Sequence, residues 1–294
     1  MNQVLGKKHR CGKWVFLAPA LIVYLSVVIY PTFYSLYLSF FDWNGLATTE
    51  KSYVGFQNYI QLFQNDWVFL TTLKNNVFWI VMTLCVTVVL ALLLAMLINL
   101  NFRGRTLLRG VLYFPYVMSG VMVATTWVWV YHPQLGLLNN LLKEIGLGQY
   151  QLSVLSKSST ALMGCFVAGC WHFLGSPMVL FLSGLQTMPR DVLEAAYVDG
   201  ANVLQCFFRV KLPLLRETLL VVFATQIISC MKVYDIVYCM TGGGPSESTQ
   251  TLATWMVINT FTYSKVGYGM AISWVMLALM LIVIIPYIAY QAKD

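Results

Sequence analysis

Charge is scarce in this sequence. Asp, Glu, Lys and Arg make up only 10% of its 294 residues, while 59% are hydrophobic. A soluble domain carries roughly 25% charged residues. Too few charges remain here to cover a surface facing water, so lipid must be the main solvent. Histidine is scarcer still, with only His9, His132 and His172, scattered along the chain. Cys170 and His172 stand two apart, which on a helix turns them to different faces. No ligand spacing of the zinc type emerges, and no metal site is expected. Paired carboxylates within an apolar segment are missing, as is any nucleophile–base pair, which leaves an intramembrane hydrolase without its groups. A nucleotide loop is missing too. GKKHRCGKW near the start approaches G-x-x-x-x-G-K-[ST], but Gly6 and Gly12 are one residue too far apart. Trp14 also replaces the hydroxyl that would hold Mg²⁺.

Long apolar runs are what the chain has in abundance. Six stretches, near 14–40, 77–100, 110–131, 161–181, 219–240 and 270–290, reach the roughly 20 residues a helix needs to cross a hydrocarbon core. They predict an all-α, polytopic membrane protein with six transmembrane helices. The expected organisation is a basic leader, 1–13, one membrane domain, 14–290, and a short tail, 291–294. The leader holds Lys7, Lys8, Arg10 and Lys13. The apolar run after it is longer than a signal-peptide core and lacks a small-residue cleavage site, so the first span is expected to stay as an anchor. Pro31 predicts a kink in span one; a short outer helix is expected around 55–63.

Twelve of the 18 Lys and Arg fall in the N-terminus, the 101–109 loop, the 182–218 loop and the C-terminus. The positive-inside rule then places both termini and both loops in the cytoplasm. The net charge of +7 is this asymmetry, and no nucleic-acid footprint is expected. Five of the seven cysteines, Cys85, Cys165, Cys170, Cys230 and Cys239, lie within spans and read as small packing residues. Cys11 and Cys206 lie on the reducing side.

Two features carry chemistry. Lys232 and Asp235 are three apart in span five, on one face of a continuous helix. Intramembrane charges usually face a bundle interior or a wet cavity; the alternative is a pair near the outer end that lets Lys232 snorkel. Gln226, Ser229 and Val233 follow the same helical spacing. TGGGPSEST, residues 241–249, reads as a rigid turn ending that span.

The second feature is EAAYVDGANVLQCFFRVKLP, residues 194–213. Pro189 suits the first position of a helix, and Asp191 and Glu194 suit its positive end. Gly200 permits the left-handed residue that closes it. A second helix is expected from about 201 to 211, ended by Pro213, with Val203, Phe207 and Val210 on one face. Ala195 and Ala196 add almost no bulk, so another backbone can approach. The alternative is an amphipathic pair lying on the membrane.

The spacing E-A-A-x₃-G-x₉-V-x-L-P, from Glu194 to Pro213, resembles the cytoplasmic signature of permease subunits of binding-protein-dependent ATP-binding cassette importers. WHFLGSPMVLFLSGLQTMPRDVLEAAYVDGAN and YDIVYCMTGGGPSEST flank it in agreement. LAPALIVYLSVVIYPTFYSLYLSFFDW and GVLYFPYVMSGVMVATTWVWVY are similar to the carbohydrate-uptake branch, first-permease type. Val210 stands where isoleucine is commoner. The likeness spans nearly the whole chain.

That resemblance implies a type I, MetI-like importer permease fold. The first short helix would be a coupling helix seated in a cleft of a cytoplasmic ATPase, with Glu194, Ala195, Ala196, Asp199, Gly200, Leu212 and Pro213 forming the coupling segment. Spans four and five would line the solute path, which brings in Phe173, Ser176, Gln226, Ser229, Cys230, Lys232, Val233 and Asp235. The implied partners are a second homologous permease, two cytoplasmic ATPase subunits, an extracytoplasmic solute-binding protein, a sugar and the lipid of a bacterial plasma membrane. ATP and Mg would be used by the ATPases and no cofactor by this chain. The neighbouring alternative is an importer of glycerol phosphate or another polyol derivative; the distant one is a stand-alone channel or membrane enzyme.

Overall fold

The computed structural model describes residues 16–149 and 152–291; the expected leader and the tail beyond residue 291 lie outside them. The described chain is helical apart from one short antiparallel pair, Phe41–Asp42 with Ser52–Tyr53. It divides into two compact units, residues 1–65 with 256–275 and residues 66–255 with 276–294.

In the first unit an apolar helix runs over Phe16–Leu38. Proline removes a backbone donor and crowds the preceding turn. The chain answers with a wide π-turn, Leu25–Ile29, after which Pro31 sits in the first turn of Tyr30–Leu38. The end of this helix is capped from the helix Gln57–Gln64, where Asn58 Nδ2 donates to the Ser39 and Phe41 carbonyls at 2.8 and 3.1 Å.

The second unit holds the core. Its longest helix, Trp67–Asn99, starts ten residues before the stretch expected from hydropathy. Asp66 caps it, accepting from the Phe69 N–H at 2.8 Å. The polar triplet Lys74, Asn75, Asn76 reads as loop in isolation, yet both asparagines are buried and bonded. Asn75 Nδ2 donates to the Ser248 and Gln250 carbonyls, and Asn76 bridges the Cys230 carbonyl and the Leu252 N–H. A polar residue satisfied by another stretch of chain does not end a helix.

Span three is the largest departure. Two helices, Arg105–Val117 and Gly120–Val130, meet at 100°. Pro115 lies inside the first, but the break comes after it, where Met118 and Ser119 are both extended and Ser119 caps the next helix. Span four is also a pair, Ser158–Phe173 and Gly175–Gln186, bent by 42°. The helix Arg216–Met231 ends at Lys232, and a new one starts at Asp235, so span five is interrupted. The last helix, Val266–Gln291, continues through Pro286. Among the described residues four helices are long and apolar enough to cross a membrane, or up to six if each bent pair counts as one span. Two apolar cores fill this unit, one around Trp79, Phe166, Val233 and Ile236, the other around Val88, Phe181, Leu182 and Leu215.

Candidate coupling loop and solute cavity

The 182–218 loop is narrower than expected, since helices reach in to Gln186 and back from Arg216. Pro189 precedes the helix Arg190–Val198, whose first turn holds Asp191. That helix closes as its glycine predicts. Gly200 is left-handed at φ +80°, Asp199 N–H donates to the Ala195 carbonyl at 2.9 Å, and Ala201 N–H donates to that of Ala196 at 3.0 Å. The second bond spans six residues, the Schellman closure that a left-handed glycine allows. Asn202 then starts the second helix through a reciprocal capping box with Gln205.

The second helix differs from expectation at both ends. It begins at Val203, and helical turns continue through Pro213 to residue 214. A π-turn, Phe207–Lys211, absorbs the proline, and the break falls at Leu215. Of the face expected to be apolar, Val203 is exposed while Phe207 and Val210 are half-buried; Cys206 is the buried residue. Phe207 and Leu212 pack onto the core around Phe181, Leu182 and Leu215. Pro213 is exposed. The loop therefore has a fixed half and a free half. In the free half, Glu194, Ala195, Asp199 and Gly200 are exposed, Ala196 is half-buried, and Val198 is 87% exposed.

A cavity of about 250 Å³ lies in the same unit, lined by Gly120, His172, Phe173, Ser229, Lys232, Val233, Tyr234, Asp235 and Ile236. The interruption of span five builds it. Lys232 and Asp235 do not share a face of one helix; they flank a non-helical step and both reach this space. Among the described residues no ion pair joins them. Asp235 opens its own helix and lies against Gly120, the first residue of Gly120–Val130. Two helix N-termini thus face one carboxylate, the favourable end for a negative charge. A Cβ on Gly120 would come within 2.7 Å of the Asp235 Cβ and 2.8 Å of its Oδ2. Glycine is what lets the carboxylate stand there.

The other expected lining residues divide. Phe173, Ser229 and Val233 line the cavity. Ser229 Oγ donates to the Thr225 carbonyl at 2.9 Å. Ser176 is half-buried one turn beyond and does not line it. Cys230 points the other way, buried with its Sγ 3.2 Å from Thr83 Oγ1. Gln226 is buried outside the cavity, and its Oε1 has no partner among the described residues.

Four lining residues escaped the sequence: His172, Tyr234, Ile236 and Gly120. His172 Nδ1 lies 2.8 Å from the Pro115 carbonyl. A carbonyl only accepts, so Nδ1 carries the proton, and in the neutral ring Nε2 is left as an acceptor. This bond is a second one to a carbonyl that also accepts from the capping Met118 N–H at 3.2 Å. Tyr234 stacks on Tyr238, centroids 5.1 Å apart. Gly120 offers no local signal, since its role is defined by Asp235 of another helix. Among the described residues no cluster of His, Cys, Asp and Glu could hold a metal.

Residues 87–292 match the family described as binding-protein-dependent transport system inner membrane component. A probable ABC transporter permease protein of Pyrococcus horikoshii is 32% identical over 95% of each chain. A multiple sugar-binding transport system permease protein of Streptococcus mutans is 30% identical, again over 95% of each. The fold matches a chain of a bacterial alginate ABC transporter, solved in complex with an alginate pentasaccharide-bound periplasmic protein. The TM-score is 0.83 at 20% identity, over 98% of this chain and 96% of that one. The chain belongs to the family of binding-protein-dependent transport system inner membrane components: it is a multi-pass permease subunit of an ABC importer, and not an enzyme.

Proposed function

We propose that this chain forms half of a sugar path through a bacterial plasma membrane, beside a second homologous permease. Both termini and the 187–215 loop face the cytoplasm, where two ATPase subunits bind ATP and Mg. An external solute-binding protein delivers the sugar. The observation that carries this reading is the division of the coupling loop. Its free half, with Glu194, Ala195, Asp199, Gly200 and Val198 exposed, suits a protein cleft. Its fixed half, through Phe207, Leu212 and Leu215, is packed onto the helices of spans two and four. A push on the first helix therefore reaches the bundle through a capped, glycine-closed elbow, and the bundle tips between inward- and outward-facing states.

The chemistry of the cavity supports a neutral, hydroxyl-rich solute. Lys232 supplies donors, Asp235 acceptors, and Phe173 and Tyr234 add aromatic rings to the lining of a space of about 250 Å³. Charges of opposite sign suit a sugar better than a phosphorylated polyol, which would favour several cations. The test is Gly200→Val in the assembled transporter, with uptake and ATP hydrolysis both measured. Uptake should fall at least tenfold while the ATPases still co-purify. Coupled transport at the original rate would overturn the elbow mechanism.

A further inference from the structure

We propose that the helix Arg105–Val117 carries a binding site for an anionic phospholipid, with the phosphate held at Arg105 and Arg109 and an acyl chain laid along Leu107, Val111 and Phe114. Two adjoining spaces on this helix carry the argument. The first, about 170 Å³, is lined by Ile98, Arg105, Thr106, Arg109, Leu182 and Gln186. The second is a groove of about 390 Å³ formed by Thr106, Leu107, Gly110, Val111 and Phe114. Thr106 belongs to both, so the charged pocket and the apolar groove adjoin.

The pocket is built for an oxyanion. Arg105 and Arg109 are one turn apart on the same helix face, where like charges repel. No carboxylate lines the space. Arg105 donates to Asn101 Oδ1 at 2.6 Å, and Arg109 has no partner among the described residues. Guanidinium forks match phosphate oxygens in pairs, Thr106 and Gln186 offer neutral donors, and the buried side chains of Ile98 and Leu182 form a dry floor. A phosphate ester answers all of these features.

The groove decides which phosphate. Leu107, Val111 and Phe114 are 74%, 59% and 62% exposed and form one stripe down the helix. Gly110 leaves a dent in that stripe, with nothing within 4 Å of where its Cβ would stand. A soluble phosphate has no use for an apolar trough that begins at its own binding pocket. A lipid does: its head group sits at the arginines, at the level where basic residues flank a span, and its chain lies in the dent. The inference rests on this chain being a membrane permease and is independent of the proposed solute and coupling mechanism.

Native mass spectrometry of the whole transporter, with its partner subunits, tests it. Phosphatidylglycerol and phosphatidylcholine of matched chains are compared, with inorganic phosphate as the soluble competitor. Phosphatidylglycerol should be retained preferentially. Arg105→Gln and Arg109→Gln should each weaken its retention about fivefold, the factor one basic side chain contributes at an anionic surface. Gly110→Leu fills the dent with both arginines intact, and should weaken retention of the lipid as well. Should Arg105→Gln fail to assemble, Arg109→Gln alone is read, because Arg109 makes no hydrogen bond or ion pair among the described residues. Equal retention of the two lipids, or unchanged retention in these variants, would overturn the site. Displacement by inorganic phosphate at lipid concentrations, with Gly110→Leu silent, would reassign it to a soluble anion and overturn the lipid proposal.

Discussion

Gly200 in the coupling loop and Gly120 in the cavity wall are glycines for opposite reasons. Gly200 has a left-handed backbone and empty space around it, with nothing within 4 Å of a would-be Cβ. Gly120 has an ordinary helical backbone and too little space, because Asp235 stands within 2.7 Å of the position a Cβ would take. The contrast extends to their surroundings. The free half of the loop is exposed and contributes little to the fold of the isolated chain. The cavity wall is over-determined. Asn76 holds the carbonyl of Cys230, His172 holds that of Pro115, and Gly120 admits Asp235. Changes in the wall should register first as lost stability or lost shape, and changes in the loop as lost communication.

Breaking the wall should give the largest effect. Asn76→Leu strands the Leu252 N–H, at about 1–3 kcal/mol for an unsatisfied buried group, and removes the side-chain donor from the Cys230 carbonyl. A thermal unfolding scan should show a pronounced drop in Tm; an unchanged Tm would mean the asparagine bridge is not part of the wall. Gly120→Val comes next. The overpacking of Asp235 should cost about 1–3 kcal/mol, relieved only by displacing the carboxylate. Uptake should fall with the ATPases still bound, whereas full uptake would remove Asp235 from the working part of the cavity.

The loop predictions are smaller and of a different kind. Gly200→Ala should cost about 1–2 kcal/mol from the left-handed backbone alone, and Gly200→Asn should recover much of this, since asparagine tolerates that conformation. Equal behaviour of the two variants would show that space, and not backbone, is the constraint. The smallest effect on stability should come from Val198→Ser. With 87% of its surface exposed, it should shift unfolding by less than about 0.5 kcal/mol, yet it should reduce co-purification of the ATPases. Unchanged co-purification would take Val198 out of the docking surface.

The sequence was most informative where structure is local. The helix ending at Val198, its glycine closure and the restart at Asn202 depend on contacts within six residues, and each has its own residue signal. Pro213 was misread because its consequence depends on what precedes it: the π-turn at Phe207–Lys211 has no compositional mark, and it lets the helix pass the proline. Trp67 as the start of span two was hidden by Asn75 and Asn76, whose partners lie up to 176 positions away. Lys232 and Asp235 were legible as unusual charges. Their convergence on one cavity was not, because the helix between them is broken and their neighbours Gly120 and His172 come from other segments.

Composition and hydropathy alone fixed a helical membrane chain, because too few charges exist to face water and a backbone in lipid must bond to itself. The spacing of small and charged residues likewise specified the glycine elbow, whose hydrogen bonds close within one turn. Only the tertiary structure decided where the spans break and which polar groups meet. The imidazole that bonds the Pro115 carbonyl, or the glycine that admits the Asp235 carboxylate, is supplied by whatever packs against it in space, and no local periodicity encodes that partner.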